Sequence, residues 1–352
     1  MRDPRAAVDV LIVSLGSTAG LRAADQELQA SLVRAGASVA VAPAPAPGQT
    51  HTLMRTDLRW ARAARVAATD LMRRVELSPP AAVIYSSTTA ALLWPRPGAI
   101  RFDAPSSGNR RGRHGLWQRP LEWRRLRQAP LLLPWSQGAL AELPRRARHE
   151  QRSLVLPVPV EPSGETQAGG RDIAAITYAA NPSKKGLDRV LSAWRRARAD
   201  GHAAFTGELV IAGAAGPELE RAGIRLGDRA GSLDGVRVAG ALAPQDYRGL
   251  LRRARVFVCA PRREDYGIAQ LEALADGCQL VSTPAPGPYA ALPIARELDR
   301  RLVSEDLAGA LRAALEVPLP GYADRARLAL APYSRAAADR LVAEQLLPRL
   351  LG

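Results

Sequence analysis

The sequence runs twice through the same alternation of short apolar, strand-like segments and longer helical segments, and this repeat limits the fold more than any other feature. The first series opens with a strand over residues 8–14, a helix over about 23–34 and a strand over 39–42. The second opens with a strand over 173–179 and alternates as far as a strand over 279–282. Such alternation is typical of a parallel sheet with right-handed crossovers. We therefore predict an α/β fold of two tandem Rossmann-like domains.

The boundary between the domains is indicated by composition. Residues 161–170 are rich in Gly, Pro, Ser and Thr and contain few apolar side chains, as a linker does. We predict an N-terminal domain over 1–160, a C-terminal domain over 171–332, and a final helix over 333–352 whose apolar stripe returns it to the first domain. Ligands of such folds lie at the carboxyl ends of the strands, which here would face a cleft between the domains.

Composition excludes several classes of protein. No stretch approaches the roughly 18 apolar residues that a membrane-spanning helix needs, and the apolar run at 8–15 is too short for a signal peptide. We expect a soluble, cytoplasmic protein. Cys259 lies in an apolar, strand-like run and is expected to be a small buried side chain. Neither the two cysteines nor the four histidines have zinc-ligand spacing, so no metal site is expected.

The formal net charge of +15 suggests an anionic partner, but its origin argues against nucleic acid. Only two of the 49 basic residues are lysine, which indicates a general bias toward arginine. Much of the excess lies within residues 101–127, interleaved with Trp117, Leu121, Trp123 and Leu126. Two interpretations stay open: a solvated helix face with packed tryptophans, or peripheral contact of residues 110–127 with the anionic inner face of a membrane.

The two lysines are neighbours, Lys184 and Lys185, in the segment Asn181-Pro-Ser-Lys-Lys-Gly186. Elsewhere this chain uses arginine wherever it carries a cation, and a compact ammonium group is not interchangeable with a planar guanidinium against phosphate. The pair follows a predicted strand and opens a predicted helix, where free backbone N–H groups already favour an anion. We interpret the pair as a diphosphate site; a chance pairing is the alternative.

A second constellation places two carboxylates eight residues apart. Glu264 lies in the loop after a predicted strand, and Glu272 lies on the helix that follows, with Gly267 at the junction. Both side chains can reach a crevice at the strand ends, where an acidic group can accept the hydroxyls of a ribose. A solvent-facing position is the alternative for either glutamate taken alone.

Taken together, a Lys-Gly that opens a helix and a Glu-x7-Glu element ending in Glu272-Ala-Leu-Ala-x-Gly277 resemble the retaining glycosyltransferases of family 4, which have the GT-B fold. The resemblance runs in order from about Ile173 to Val281. It implies a transferase that moves a hexose from a nucleoside-diphosphate sugar to an acceptor hydroxyl, with retention and without a metal. The nucleotide sugar is then a co-substrate, no further cofactor is expected, and the acceptor would be a small molecule, a glycan or a lipid-linked sugar.

The resemblance also implies roles for the polar residues. Lys185, with Lys184 beside it, would contact the donor diphosphate and stabilise the leaving nucleotide, the step in which negative charge develops. Glu264 would lie near the donor sugar, and Glu272 would hold the ribose hydroxyls.

The family pattern further assigns backbone groups. The amides of Tyr266, Gly267 and Ile268 would contact the sugar hydroxyls or the phosphates. Gly20 matches the glycine that lets a loop after the first strand close over the phosphates. Domain closure would exclude water and limit hydrolysis of the donor.

Several positions depart from the family. Ala180 stands where the family has an arginine, so a second phosphate cation would come from Lys184, Arg262 or Arg263. Asp103 stands near the place of an acceptor-side histidine and is our candidate for an acceptor-hydroxyl contact.

Alternatives of other classes also stay open. A nucleotide-sugar epimerase of the same fold would convert the donor with no acceptor present, whereas a phosphorylase is disfavoured because both lysines lie at the phosphate loop. A non-catalytic, arginine-rich module would bind membranes or nucleic acid and would need neither motif.

Overall fold

The structure is a computed structural model, and it describes residues 8–46, 52–74, 79–110, 112–164, 170–199, 207–224 and 235–352. The chain divides into two compact units. The first unit combines Met1–Pro159 with Tyr333–Gly352, and the second unit is Val160–Pro332. Each unit contains a parallel sheet, so the prediction of two α/β domains with a final helix on the first is confirmed.

The sheet of the first unit has five parallel strands in the described residues: β1 (Val10–Ser14), β2 (Val39–Pro43), β3 (Ala82–Tyr85), β4 (Ala99–Phe102) and β5 (Leu132–Pro134). Their order across the sheet is β2-β1-β3-β4-β5. In the register of the central strand, Val10 lies opposite Val39 on one side and Ala82 on the other. The five residues of β1 are all buried, as expected for a parallel strand covered by helices on both faces.

Helices connect these strands: α1 (Ala19–Arg34), α2 (Leu53–Arg74), α3 (Thr88–Ala91), α4 (Ser106–Asn109), α5 (Gln118–Gln128) and α6 (Gln137–Ala141), with short 3-10 turns at Gly112–Gly115, Arg145–Ala147 and Glu150–Arg152. Two separate apolar clusters cover the two faces of the sheet. One face packs Leu11, Tyr85 and Phe102 against Ala64 of α2 and its neighbours. Successive strand residues point to opposite faces, so the other face is formed by the residues between them.

The helix α1 begins earlier than the sequence suggested. Its expected start was about Ala23, but the side chain of Thr18 caps the helix by accepting a hydrogen bond from the Leu21 amide at 3.2 Å. A threonine at this position satisfies one of the free N–H groups of the first turn. Gly20 therefore lies inside the first turn of α1 instead of in the preceding loop.

The sheet of the second unit also has five parallel strands in the described residues: β6 (Ile173–Tyr178), β7 (Leu209–Ala212), β8 (Val236–Gly240), β9 (Ala254–Cys259) and β10 (Gln279–Ser282). Their order is β10-β9-β6-β7-β8, so β6 lies at the centre between β7 and β9. The helices of this unit are α7 (Leu187–Ala199), α8 (Gly216–Arg221), α9 (Pro244–Arg253), α10 (Ile268–Ala275), α11 (Ala291–Leu298), α12 (Leu307–Glu316) and α13 (Tyr322–Ala329).

The last twenty residues pack on the first unit. They form α14 (Arg335–Leu341), one π-helical turn over Val342–Leu346, and α15 (Leu347–Leu351). Val342 and Leu346 are buried in the same apolar cluster as Leu28 and Leu32 of α1. Beside this cluster, the carboxylate of Asp339 accepts a hydrogen bond from the Ser31 hydroxyl at 2.6 Å and pairs with a guanidinium of α1. The apolar stripe read from the sequence is thus the surface that contacts α1.

The predicted linker lies partly outside the described residues, which omit 165–169. Its first residues are hydrogen bonded to the second unit: Arg248 donates to the Glu161 carbonyl at 2.7 Å, and the Ser163 amide donates to Asp276 at 2.8 Å. In the described part of the chain, no helix has both the length and the hydropathy that crossing a bilayer requires.

Candidate functional site

The strand order of the second unit creates a crevice beside β6. From β6 the chain proceeds outward through β7 and β8, then returns to the other side of β6 as β9 and β10. The loops that leave β6 and β9 therefore diverge at the carboxyl edge of the sheet, which is where open α/β sheets bind ligands. These loops, residues 179–186 and 260–267, carry the lysine pair and Glu264 respectively.

The structure brings the lysine pair into direct contact with two adjacent carboxylates. The Lys185 ammonium lies 2.6 Å from Oε2 of Glu264, and the Lys184 ammonium lies 2.9 Å from Oδ2 of Asp265. The lysine side chains are 21% and 44% exposed, whereas the carboxylate side chains are 7% and 10% exposed. The cations thus lie on the open side of the carboxylates, from which an anionic ligand can reach them.

The two loops are tied together through their backbones. The Arg262 amide donates to the Lys184 carbonyl at 3.0 Å. Gly186 has a φ of +64°, and a Cβ atom there would collide with the carbonyl oxygen of Ala260. A side chain at this position would therefore clash with the β9 loop as well as strain its own backbone. The Lys-Gly pair consequently places one loop against the other and holds the ammonium groups over the carboxylates.

Asp265 also binds a second cation. Its Oδ1 accepts a hydrogen bond from Nε of Arg263 at 2.9 Å, while its Oδ2 contacts Lys184. The Arg263 side chain is 14% exposed. Arg262 points elsewhere and pairs with the exposed carboxylate of Asp188 on α7 at 2.9 Å. Of the two arginines considered as replacements for the cation missing at Ala180, Arg263 is the one that lies at this site.

Glu272 belongs to a second cluster, formed between α9 and α10. Its Oε1 lies 3.6 Å from Nη1 of Arg248, whose Nε donates to Asp276 at 2.6 Å. Burial raises the pKa of the Glu272 carboxyl, the Arg248 charge opposes this, and the Asp276 charge adds to it. Burial also raises the pKa of Tyr178, and the Glu272 charge raises it further, because the two groups are close. The structure thus pairs Glu272 with Arg248, whereas it pairs Lys185 with Glu264.

An aromatic pair lines this cluster. The rings of Tyr178, at the end of β6, and Tyr247, on α9, lie 5.2 Å apart with their planes tilted by 54°. The Tyr247 hydroxyl is buried and has no hydrogen-bond partner in the described residues. A carboxyl group beside two tyrosine rings suits a ligand with both hydroxyl groups and a flat apolar face.

The helix α10 presents free backbone amides at this edge. Its N-cap is Gly267, with a φ of +91° and no capping side chain, so the amides of the first turn, including that of Ile268, lack intrahelical partners. A Cβ atom on Gly267 would lie 2.9 Å from the ring of Tyr289, so the absent side chain also makes room for that ring. Tyr266 is buried, with 3% of its surface exposed, and contributes backbone groups to this edge.

The remaining predicted residues lie in the first unit. Gly20 was expected in a loop over the phosphates, but Thr18 starts α1 before it, so Gly20 is a helical residue. The glycine with a positive φ in the loop after β1 is Gly16, at +53°. Asp103 follows β4, is half-buried, and accepts a hydrogen bond from the Ala104 amide at 2.8 Å.

The first unit holds a buried charged cluster that sequence reasoning missed. Arg101, on β4, is 1% exposed, donates to the Ala24 carbonyl at 3.1 Å and lies 3.5 Å from the carboxylate of Asp25. Its guanidinium also lies over the Trp135 ring, 4.8 Å from the centroid. Burial raises the pKa of the Asp25 carboxyl, while the Arg101 charge and a bond from the Ser14 hydroxyl lower it. The only sign of this buried cluster in the sequence is an arginine within the four-residue apolar strand β4.

Sequence reasoning also missed partners in the second unit. Asp265 was overlooked although it adjoins Glu264, and Arg248 and Asp276 lie too far apart in sequence for any spacing rule to join them. Gln270 is buried in α10, where the only signal was a polar residue in an apolar helix face. Among the described residues, no three His, Cys, Asp or Glu side chains gather in a metal-binding arrangement.

Comparison with known proteins gives one matching family model and several structures of the same fold. Residues 172–317 match the family model described as glycosyl transferases group 1. No curated protein sequence matches the chain. Among solved structures, WaaG, a glycosyltransferase involved in lipopolysaccharide biosynthesis, is 15% identical with a TM-score of 0.66, over 94% of this chain and 98% of WaaG.

Two further structures have the same fold. Anabaena HepE in complex with UDP-glucose is 12% identical with a TM-score of 0.66, over 96% of this chain and 98% of HepE. The α,α-trehalose 6-phosphate synthase from Burkholderia multivorans is 12% identical with a TM-score of 0.67, over 98% of both chains. At such identities the likeness shows the fold alone. Residues 172–317 therefore match the model of glycosyl transferases group 1, and the chain as a whole has the GT-B fold of two parallel-sheet domains.

Proposed function

We propose that this protein is a hexosyltransferase that moves a sugar from a nucleoside-diphosphate donor to an acceptor hydroxyl. The observation that carries the proposal is the contact of Lys185 with Glu264 at the switch point of the second unit. A cation and a carboxylate that meet on the open side of a crevice can separate when a ligand offers each a better partner. The nucleotide sugar offers both, because it joins an anionic diphosphate to a hydroxyl-rich sugar.

The diphosphate is assigned to the lysine loop. Lys184 and Lys185 supply two ammonium groups, and Arg263 adds a guanidinium through its shared contact with Asp265. Negative charge grows on the leaving diphosphate in the transition state, and fixed cations at that position lower the barrier. With these cations in place we propose that transfer proceeds without a metal, so chelation by EDTA should leave the rate unchanged.

The ribose and base are assigned to the Glu272 cluster. The carboxylate can accept the paired ribose hydroxyls, and the half-buried ring of Tyr178, packed against Tyr247, offers an apolar surface nearby. HepE, which shares the fold, has been crystallised with UDP-glucose, and this supports a nucleoside-diphosphate sugar as the donor class. UDP-glucose is accordingly the first donor to test.

The acceptor is assigned to the first unit. Asp103, at the end of β4, is proposed to contact the acceptor hydroxyl, so Asp103→Asn should raise the acceptor KM while leaving the donor KM unchanged. We further propose transfer with retention, in line with the resemblance to family 4. Proton NMR of the product tests this, because an inverted anomeric configuration would contradict it.

A peripheral contact with anionic membranes is proposed for the first unit. Leu116 and Trp123 are 64% and 44% exposed, and the arginines around them include Arg113, Arg124 and Arg127, all exposed. Apolar anchors within a basic surface suit the boundary of an anionic bilayer. Co-sedimentation with phosphatidylserine vesicles should exceed that with phosphatidylcholine vesicles and should fall in high salt. Equal recovery with both lipids would contradict this proposal.

The donor site is tested by thermal shift with UDP, GDP, ADP and TDP and with their glucose derivatives. A ligand that binds only the folded protein raises its stability by about 2.7 kcal/mol at one hundred times its Kd. Lys185→Ala and Glu272→Ala should each reduce the shift that the best nucleotide produces, whereas Cys259→Ala should not.

A matched control removes an ion pair from the opposite end of the same strands. Arg253 pairs with Asp172 just before β9 and β6 begin, so Arg253→Ala should leave nucleotide binding unchanged. If no nucleotide stabilises the wild-type protein, the donor assignment is wrong. Conversion of the donor to an isomer without acceptor would instead identify an epimerase.

A further inference from the structure

The side chain of Gln270 is buried directly behind the Lys185–Glu264 contact. It lies on α10, is 2% exposed, and has the buried residues Leu271, Ala273 and Leu274 as helical neighbours. An apolar side chain of similar size would fill this space without the cost of burying an amide. The amide therefore requires an explanation beyond packing.

The amide is directed at the carboxylate. Its Nε2 donates to Oε2 of Glu264 at 3.0 Å, and the same oxygen contacts the Lys185 ammonium at 2.6 Å. Its own Oε1 is buried with no hydrogen-bond partner in the described residues. Turning the amide by half a revolution would bring that oxygen against the negative carboxylate, so the charge of Glu264 selects the observed orientation.

Neutral groups lie beneath this amide. The Cys259 thiol lies 3.3 Å from the Tyr289 hydroxyl and 3.4 Å from the Ser282 hydroxyl, and 3.8 Å from Nε2 of Gln270. Burial raises the pKa of both the thiol and the phenol, so both stay protonated at neutral pH. The buried side of Glu264 is thus uncharged, and its charge is balanced from the open side by Lys185.

We propose that Gln270 is a positioning residue for donor turnover. It anchors Oε2 of Glu264 from the buried side, so that the carboxylate keeps its place when Lys185 leaves it for the donor diphosphate. Without the amide, departure of the lysine would leave the carboxylate free to rotate away from the donor sugar. This inference rests on the proposed function, since it assigns the sugar to Glu264 and the phosphates to Lys185.

The test compares two buried glutamines. Gln270→Leu removes the amide at the site. Gln279→Leu is the matched control, because Gln279 is 7% exposed, donates to the Ala314 carbonyl at 2.9 Å, and begins β10 at the opposite edge of the sheet. Both variants lose one buried amide, so both should lose stability to a similar degree. Only Gln270→Leu should also lower the rate at which the nucleoside diphosphate is released from its sugar.

The readouts are the Kd of the bare nucleoside diphosphate and the rate at which it is released from its glucose derivative in water. UDP and UDP-glucose are the probes, replaced by the GDP, ADP or TDP pair if that pair binds the wild-type protein more tightly. Gln270→Leu should lower the rate about 10- to 100-fold, the factor expected when a hydrogen bond to a charged group is lost. The Kd of the bare diphosphate should change less than about 3-fold.

A second variant supplies a readout that a structural role would not affect. In Gln270→Glu the new carboxyl lies against Glu264, and two such groups share one proton. While protonated it donates to Glu264 as the amide does, so the rate should fall as pH rises and the proton is lost. The wild-type protein and Gln279→Leu should lack this alkaline decrease.

The outcomes separate the two proposals. If none of the four nucleotides binds the wild-type protein, the proposed function fails and the inference fails with it. If a nucleotide binds but Gln270→Leu lowers the rate no more than Gln279→Leu does, the inference alone is overturned. The inference is also overturned if Gln270→Leu weakens binding of the bare diphosphate by the same factor as it lowers the rate. A pH–rate profile of Gln270→Glu without the alkaline decrease overturns it as well.

Discussion

Each unit has charged groups near the carboxyl edge of its sheet, but the two units bury them to different degrees. In the first unit, Arg101 and Asp25 are 1% and 5% exposed and are enclosed by a backbone carbonyl, a tryptophan ring and a serine hydroxyl. In the second unit, the cations Lys184 and Lys185 remain 44% and 21% exposed above buried carboxylates. An enclosed pair holds its own structure together, whereas a half-open pair can exchange its partner for a ligand.

Strand order explains where the exchangeable pairs lie. In the first unit the strand order reverses between β1 and β3, where the Leu15 amide donates to the Ser86 hydroxyl at 3.2 Å and the Ser14 hydroxyl donates to the buried Asp25 carboxylate. In the second unit the strand order reverses between β6 and β9, where both loops carry charge and the lysines are partly exposed. The donor site is therefore expected in the second unit, and the following experiments test that division.

The largest effect is expected at the enclosed pair of the first unit. Arg101→Met leaves the Asp25 carboxylate buried without its cation, and breaking such a pair lowers the free energy of unfolding by about 3–5 kcal/mol. Chemical denaturation measures this loss. At temperatures where the variant is folded, its Kd for the nucleotide should match that of the wild type. A weaker affinity in the folded variant would mean that the first unit contributes to donor binding.

A smaller effect is expected from glycines. Gly186→Ala places a Cβ atom against the Ala260 carbonyl at a φ of +64°, and the strain and collision should cost about 3 kcal/mol and weaken nucleotide binding. Gly36→Ala in the first unit is the control, since its φ is +95° but no atom lies within 4 Å. It should cost about 1 kcal/mol, from backbone strain alone, and leave binding unchanged. Equal losses of affinity would contradict the assignment of the β6 loop.

The next effect concerns two carboxyls with raised pKa values, one in each unit. Burial raises the pKa of Glu272 and of Glu122 above the usual 4.5. The native state then keeps a proton that the unfolded chain has lost, so the free energy of unfolding falls as pH rises from 4.5 through the native value. Glu272→Gln and Glu122→Gln should each reduce this pH dependence of stability.

The same two residues differ in their effect on binding. An ionised Glu272 accepts ribose hydroxyls, so nucleotide affinity should rise with pH over the interval in which this carboxyl titrates. Titration calorimetry at several pH values should show this rise in the wild type and in Glu122→Gln, and its absence in Glu272→Gln. A rise that persists in Glu272→Gln would remove Glu272 from the ribose site.

The smallest effect is expected where α14 contacts α1. The Asp339 carboxylate accepts a hydrogen bond from the Ser31 hydroxyl at 2.6 Å and pairs with the Arg34 guanidinium at 2.7 Å. Its side chain is nevertheless 28% exposed. Exposed ion pairs contribute little, so Asp339→Ala should lower the free energy of unfolding by only about 1 kcal/mol. Denaturation curves should show this loss with no change in nucleotide affinity. A loss of several kcal/mol would mean that this contact governs folding of the first unit.

The sequence pattern was sufficient to predict the two sheets, because short continuous apolar runs indicate strands that are buried on both faces. The Lys-Lys-Gly and Glu-x7-Glu segments likewise located the loops that meet at β6, since each pattern is local. The pairing of Lys184 with Asp265, and of Gln270 with Glu264, could not be predicted, because each joins elements whose separation depends on tertiary packing. Gly20 was misplaced because a threonine cap moved the start of α1 by four residues.

The return of Val342 and Leu346 to the cluster around Leu28 has a consequence for biosynthesis. On the ribosome, every residue of the second unit is polymerised before the side chains that cover this face of the first sheet exist. This cluster can therefore be completed only after the second unit has been synthesised, and Leu28 and Leu32 lack two of their packing partners until then. A nascent chain halted near residue 332 would lack Val342 and Leu346 and would leave an apolar patch of α1 exposed to solvent.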